Sequence, residues 1–293
     1  MTSQLTSERR IVFVDIDGTL VNHGSPVLDS AREAVREARR NGHLVFIATG
    51  RGEADVQPDI REIGFDGEIT NSGALAHIGN ETVLSRPMEV ADMQFLINYF
   101  EGRGIPYLVQ THDQTYTTEA AKAVMLAYDA YLREQLTPGD DLEEVHTFAN
   151  FAAGFPDVSE ADLTHAAKLV FISEADLDMR VIADDIGDRF HLVPGSMPVS
   201  IGSNGEISPR GINKGSAIEE VLRRLAIPTQ NAIGIGDSWN DVEMFDVCGE
   251  AVAMAGADQG VKEHADHITG SVEEGGLAQA FANLGLTSAH VLN

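Results

Sequence analysis

Residues 11–19 read Ile-Val-Phe-Val-Asp-Ile-Asp-Gly-Thr, an apolar run of strand length that stops on two carboxylates and a glycine. A short, uninterrupted apolar run suits a strand buried on both faces, as in an open α/β sheet. Such sheets bind ligands in the crevice at the carboxyl ends of their strands, where Asp15 and Asp17 would arrive. Alternate residues of a strand share a face, and Gly18 lets the chain turn away at once. Both carboxylates can then converge on a divalent cation, a nucleophilic task, or both.

The same logic recurs along the chain. Residues 29–40 place Ala31, Ala34, Val35 and Ala38 at helical spacing before Asn41-Gly42, and Leu44–Ala48 is a second apolar strand ending at Thr49-Gly50-Arg51. A helix is expected over 54–63, with Pro58 inside it, then a third strand at Ile69-Thr70 running into Asn71-Ser72-Gly73-Ala74. A small hairpin follows around Gly79-Asn80.

Between residues 86 and 194 the texture changes to helices at 92–100, 120–135 and 174–186, alternating with short strands at 107–110, 115–117, 169–172 and 190–193. Loops are expected at 137–141 and 154–157. The α/β alternation then resumes with Lys214, a helix at 216–225, a strand at 232–235, the turn Gly236-Asp237-Ser238-Trp239-Asn240-Asp241, a helix at 242–247, a strand at 251–254 and a helix at 277–284. The expected organisation is a Rossmann-like parallel-sheet core, α/β in class, over residues 1–85 and 195–293, with an inserted α+β cap domain over 86–194.

Twenty Lys and Arg against 46 Asp and Glu give a formal charge of −26, which argues against nucleic acid or an anionic membrane surface as a partner. It does not exclude a phosphate site, because screening confines that field and a local cation or lysine can dominate inside a cleft. The single cysteine, Cys248, has no internal disulfide partner and reads as a buried helix end, not a catalytic thiol. No signal-like or membrane-spanning apolar segment is evident, so a cytoplasmic protein, monomeric or a small homo-oligomer, is expected.

Four polar sites follow strands or open a helix: Asp15-x-Asp17-Gly18-Thr19, Thr49-Gly50-Arg51, Lys214, and Gly236-Asp237-x-x-Asn240-Asp241. In this order they resemble the four motifs of haloacid dehalogenase-type phosphatases, and the insertion between the second and third resembles the cap of the Cof-like subfamily. The resemblance spans essentially the whole chain, and its specificity lies in the core motifs. It implies hydrolysis of a small phosphorylated metabolite, such as a sugar phosphate, through an aspartyl-phosphate on Asp15. Asp17 would protonate the leaving oxygen and then deprotonate water. Thr49, the Gly50 N–H, Lys214 and Asn240 would hold phosphoryl oxygens. Mg²⁺ would sit on Asp15, Asp17 (through its main-chain carbonyl) and Asp237, with Asp241 orienting Lys214 or the metal shell. A phosphotransferase or mutase sharing the intermediate, and a catalytically weak phospho-ligand sensor, are the alternatives; the intact Asp15 and Asp17 pair argues against the sensor.

Other residues carry weaker signals. His112, Asp113 and Tyr116 lie at a turn of the insert and could face the substrate; Trp239 could pack under the cap or stack on a ligand; Arg51 could steer anions into the crevice or pair with surface acids. Ser72 interrupts what the family usually shows as Asn-Gly-Ala, and Ser203-Asn204-Gly205 lengthens the approach to Lys214.

Overall fold

The computed structural model describes residues 9–22, 25–135, 154–195 and 202–288. The chain first lays down β1 (Ile11–Val14), β2 (Leu44–Ala48), β3 (Gly67–Thr70), β4 (Leu75–Ile78) and β5 (Glu81–Ser85). It then leaves to build a second sheet from β6 (Tyr107–Thr111), β7 (Thr115–Thr117), β8 (Ala166–Ser173), β9 (Phe190–Pro194) and β10 (Ser203–Pro209). It returns with β11 (Ala232–Gly236), β12 (Glu250–Ala253) and β13 (His267–Ile268).

The first sheet has the order β13-β12-β11-β1-β2-β3-β4-β5 and is parallel from β13 to β3, with an antiparallel edge at β4 and β5. Strand β1 lies between β2 and β11, so the chain's direction of travel across the sheet reverses there and opens a crevice at its carboxyl end. The apolar run of β1 is buried on both faces. Val12 and Val14 pack with Ala31, Ala34 and Val35 of helix Asp29–Arg40 and with Phe281 of helix Gly276–Asn283. Ile11 and Phe13 pack the other way, with Ile218 and Val221 of helix Lys214–Leu225 and Met244 of helix Val242–Val247.

The expected helix over 54–63 is instead a 3-10 turn, Glu53–Asp55, and a single helical turn, Pro58–Arg61. Proline has no N–H to continue a helix and holds the preceding Gln57 extended (φ −63°, ψ 147°), which separates the two pieces. The helix expected from 174 begins only at Met179, where the Asp178 side chain accepts from the Arg180 N–H and caps it.

The second sheet is antiparallel, in the order β7-β6-β8-β10-β9. Helices Val90–Arg103 and Met179–Ile186 cover one face, and helix Glu119–Gln135 contributes Ala121 and Met125 to the other. The border expected at residue 194 leaves out β10, which joins β8 to β9. Its sequence, SNGEISP, has no apolar alternation because it is matched to its neighbours: a Cβ on Gly205 would stand 2.6 Å from the Phe171 ring. The loop expected at 137–141 lies outside the described residues, while residues 154–157 form the expected loop. Among the described residues, no helix is long and apolar enough to cross a membrane.

Three consecutive residues after β3 lie in the left-handed region: Asn71 (φ 51°), Ser72 (φ 53°) and Gly73 (φ 100°). Two of these are not glycine, a conformation that costs free energy and must be held by its surroundings. Asn71 Nδ2 donates to the Thr111 carbonyl at 3.0 Å, and Ser72 is anchored in the second sheet as described below. Gly73 packs on the start of helix Lys214–Leu225, where a Cβ would stand 2.1 Å from the Asn213 carbonyl oxygen. Gly73→Ala is therefore expected to destabilise the fold by about 2–4 kcal/mol, combining strained backbone with overpacking. A denaturant melt checks this, and an unchanged midpoint would refute it.

Candidate active site

Strand β1 ends in the crevice with Asp15, only 4% exposed, whose N–H donates to the Ile235 carbonyl of β11 at 3.0 Å. Lys214 reaches it from the first residue of helix Lys214–Leu225, whose start is fixed by a capping box between Asn213 and Ser216. Lys214 is fully buried and its Nζ donates to Asp15 Oδ1 at 2.7 Å and Asp241 Oδ1 at 2.6 Å. Asp241 Oδ2 in turn accepts from the backbone N–H groups of Asp237 and Ser238, both at 3.0 Å. Both oxygens of Asp241 are thus engaged, and it orients Lys214 and the turn after β11.

Burial opposes the charge on Lys214, but Asp15 and Asp241 outweigh it and hold its pKa above the usual lysine value. Burial raises Asp15 well above the ordinary carboxylate range; Lys214 opposes the rise, while Asp241, Asp237 and Asp17 add to it. Burial, then Asp241, pushes Asp237 up to about 7, against the influence of Lys214 and a 3.2 Å hydrogen bond from the Thr19 hydroxyl. Carboxylate oxygens of Asp15, Asp237 and Asp241 lie within 4.8 Å of one another. Three carboxylates around one ammonium leave an excess of negative charge, and this donor set fits a hard divalent cation. With Asp241 occupied, Asp15 and Asp237 are the carboxylates that would hold it. Gly18 (φ 82°) brings the turn against Asp237, where a Cβ would stand 2.2 Å from Oδ2.

The Asp17 carboxylate is not one of that group, although its charge acts on Asp15 and Asp237. Arg51 grips it in a two-pronged ion pair, Nε to Oδ2 at 2.8 Å and Nη2 to Oδ1 at 2.7 Å. Arg51 therefore pairs with the second aspartate of the first motif, a largely buried carboxylate, and not with a surface acid as the sequence suggested. The register Val14 to Ile47 sets Thr49 near the end of β1's neighbour; Thr49 is buried and its hydroxyl accepts from the Arg51 N–H at 3.1 Å. Asn240 Oδ1 accepts from the Ser238 hydroxyl at 2.9 Å, and its Nδ2 stands 3.1 Å from where a Cβ on Gly50 would be. Asp15, Lys214, Asp237 and Asp241 thus meet directly, with Gly50 and Asn240 facing each other beside them.

The second sheet adds a buried group that the motifs do not contain. Lys168 of β8 and Glu206 of β10 pair at 2.5 Å, and Ser72 bonds to both, at 3.1 and 3.0 Å. A lysine inside the apolar strand AAKLVFIS was the available signal, because a buried charge needs a partner.

A cavity of about 600 Å³ opens beside Asp17 and Asp237, lined also by Asn22, Pro194, Trp239 and Asp258. Trp239 packs its ring on Gly260 and donates from Nε1 to Asp258 at 3.3 Å. His112 bonds to Ser85 across the junction of the two sheets, at 3.3 Å, and burial lowers its pKa. Asp113 lies 3.8 Å from His165. His112, Asp113 and Tyr116 are absent from the lining of the cavities beside Asp17 and Lys214. Burial pushes the Cys248 thiol up to about 12, consistent with an unreactive thiol.

The family model for haloacid dehalogenase-like hydrolases matches residues 12–281. The chain is 28% identical over 283 residues to a Bacillus subtilis (strain 168) protein named "Putative phosphatase YkrA", covering 95% of this chain and 99% of that one. It is 25% identical over 277 residues to the 5-amino-6-(5-phospho-D-ribitylamino)uracil phosphatase YwtE of the same organism, covering 92% and 96%. Among solved structures, the subclass IIB sugar phosphatase BT4131 shares the fold at a TM-score of 0.76 and 22% identity, covering 94% of this chain and 99% of that chain. With the four motifs gathered at one crevice and the family match running almost from end to end, the chain belongs to the haloacid dehalogenase-like hydrolases.

Proposed function

We propose that this protein is a Mg²⁺-dependent phosphatase of a small phosphorylated metabolite, a sugar phosphate or related phosphomonoester, working through an aspartyl-phosphate on Asp15. The observation that carries the reading is the buried Asp15–Lys214–Asp241 chain beside Asp237. Phosphate monoesters hydrolyse extremely slowly without catalysis, so a phosphatase must neutralise phosphoryl oxygens and present an in-line nucleophile. Lys214 sets the Asp15 carboxylate in place and supplies positive charge to the transferred group. Thr49, Gly50 N–H and Asn240 Nδ2 offer uncharged donors around it.

Asp15 attacks phosphorus as the ester oxygen departs, and Asp17 gives that oxygen a proton. Water then attacks the aspartyl-phosphate, giving Asp17 its proton and releasing phosphate and free Asp15. Arg51 cannot give up a proton to either step, so Asp17 must part from it to act. Asp15, Asp237 and the Asp17 main-chain carbonyl would hold Mg²⁺, which when bound supplies charge neutralisation at the phosphoryl oxygens. The sugar phosphatase BT4131 and the phosphatase YwtE, whose named substrate carries a phosphorylated ribityl chain, support a small hydroxylated substrate.

Release of inorganic phosphate from p-nitrophenyl phosphate and a panel of sugar phosphates, with and without Mg²⁺, tests the proposal. No release from any member, or release that a chelator leaves untouched, would count against it. Mg²⁺ binding is also expected to be pH-dependent. Burial, then Asp241, pushes the Asp237 carboxyl up to about 7, and a cation needs its ionised form. Proton competition therefore weakens binding as pH falls below 7, by about tenfold per unit for each displaced proton. Calorimetric titrations between pH 5.5 and 8 measure this, and a flat profile would contradict it.

A further inference from the structure

Lys168 and Glu206 of the second sheet line a cavity together with Lys214, Asn240 and Glu243 of the core. Strands β8 and β10 aim them at the first sheet. Lys168 Nζ and Glu206 Oε1 each come within 3.4 Å of the position a Cβ on Gly50 would take, beside Asn240 Nδ2 at 3.1 Å. Their side chains are 2% and 8% exposed. A buried ion pair carries a large desolvation cost, and replacing one by apolar residues is often neutral or stabilising, so packing alone gives little reason for its presence here.

The bonding leaves each partner one free function. Glu206 Oε2 accepts both the Lys168 and the Ser72 bonds, while Oε1 accepts none from the described residues. Lys168 has three N–H donors and directs two of them to Ser72 and Glu206. An acceptor and a donor thus stand side by side over the backbone assigned to the phosphate. A hydroxyl both donates and accepts and matches the pair. A carboxylate or second phosphate would meet Glu206, and an ammonium would meet Lys168.

The surrounding charge points the same way. Lys214, Arg51 and Lys168 are each paired with a carboxylate, and the larger cavity has Asp258 and Glu273 but no Lys or Arg in its described lining. We infer that Lys168 and Glu206 are specificity-determining residues that together read a hydroxyl next to the phosphoester carbon, selecting neutral polyhydroxylated leaving groups over anionic ones. Ser72 fixes the pair from the strained loop after β3, which also carries Gly73 against Asn213. This inference rests on the phosphatase reading.

The test compares kcat/KM for glycerol 3-phosphate, n-propyl phosphate, which lacks the hydroxyls, and 3-phosphoglycerate, which adds a carboxylate. The wild type should prefer glycerol 3-phosphate over n-propyl phosphate by about 10- to 100-fold, the scale of one hydrogen bond to a charged group. It should also disfavour 3-phosphoglycerate. Glu206→Gln and Lys168→Met should bring the first ratio close to one, by losing more on glycerol 3-phosphate than on n-propyl phosphate. Lys168→Arg, which keeps the charge on a different fork, should stay folded and still lower the ratio. A wild-type ratio near one, or variants that slow both substrates equally, would overturn the assignment and leave a structural clamp. No turnover of any phosphate ester by the wild type would instead overturn the phosphatase reading itself.

Discussion

Asp15→Asn is expected to reduce phosphate release by about 10⁴-fold or more while leaving the protein at least as stable as the wild type. The substitution keeps size and an oxygen that can accept from Lys214, so the 2.7 Å contact has a neutral counterpart. It removes a carboxylate that burial and three neighbouring acids hold well above its ordinary pKa, and hence relieves repulsion in the native state. The amide cannot form an acyl-phosphate that water then cleaves, so chemistry is lost with the nucleophile. Active sites commonly trade stability for activity in this way. Phosphate release and thermal melts on the same sample check both halves. Activity within tenfold of wild type would refute the nucleophile assignment; a lower melting temperature would refute the electrostatic account of Asp15.

Much of this crevice was legible in the chain because its parts obey local rules. The run Ile11–Val14 is apolar on both sides and ends in carboxylates, so both its burial and the placement of Asp15 follow from strand periodicity. Asp29–Arg40 matches its alanine spacing from end to end, with acid in the first turn and base in the last. The second sheet was harder to read. Strand β10 has Ser, Asn and Gly where a strand reader looks for Val and Ile, and it is held by register against β8 and β9 rather than by its own propensity. Lys168 and Glu206 are 38 residues apart and meet only through that register, so no spacing rule couples them. The grip of Arg51 on Asp17 was hidden for the same reason: it depends on how the turns after β1 and β2 face each other.

Lys214→Met should be the most damaging single change in the core, and its cost should depend on pH. The methionine fills similar space, but Asp15 and Asp241 would remain buried without their shared cation. Breaking a buried pair by removing one partner costs about 3–5 kcal/mol, because the remaining charge is uncompensated. The direction with pH follows from the carboxylates. Asp15 is already raised in the wild type with Lys214 opposing the rise, so losing Lys214 raises it further. A carboxyl whose pKa is higher in the folded than in the unfolded state favours folding when protonated, and that contribution is lost as pH rises through the folded pKa. The deficit relative to wild type should accordingly be smallest near pH 5 and largest near pH 8. Mg²⁺ should restore part of it at pH 8 by supplying the missing positive charge to Asp15. Activity should fall by about 10³-fold or more even with Mg²⁺, since the fixed ammonium at the transferred group is gone. Urea melts at pH 5, 6.5 and 8, with and without Mg²⁺, separate these effects. A deficit that is constant with pH would mean the loss is one of packing, and that Lys214 does not hold the charges of Asp15 and Asp241 in balance.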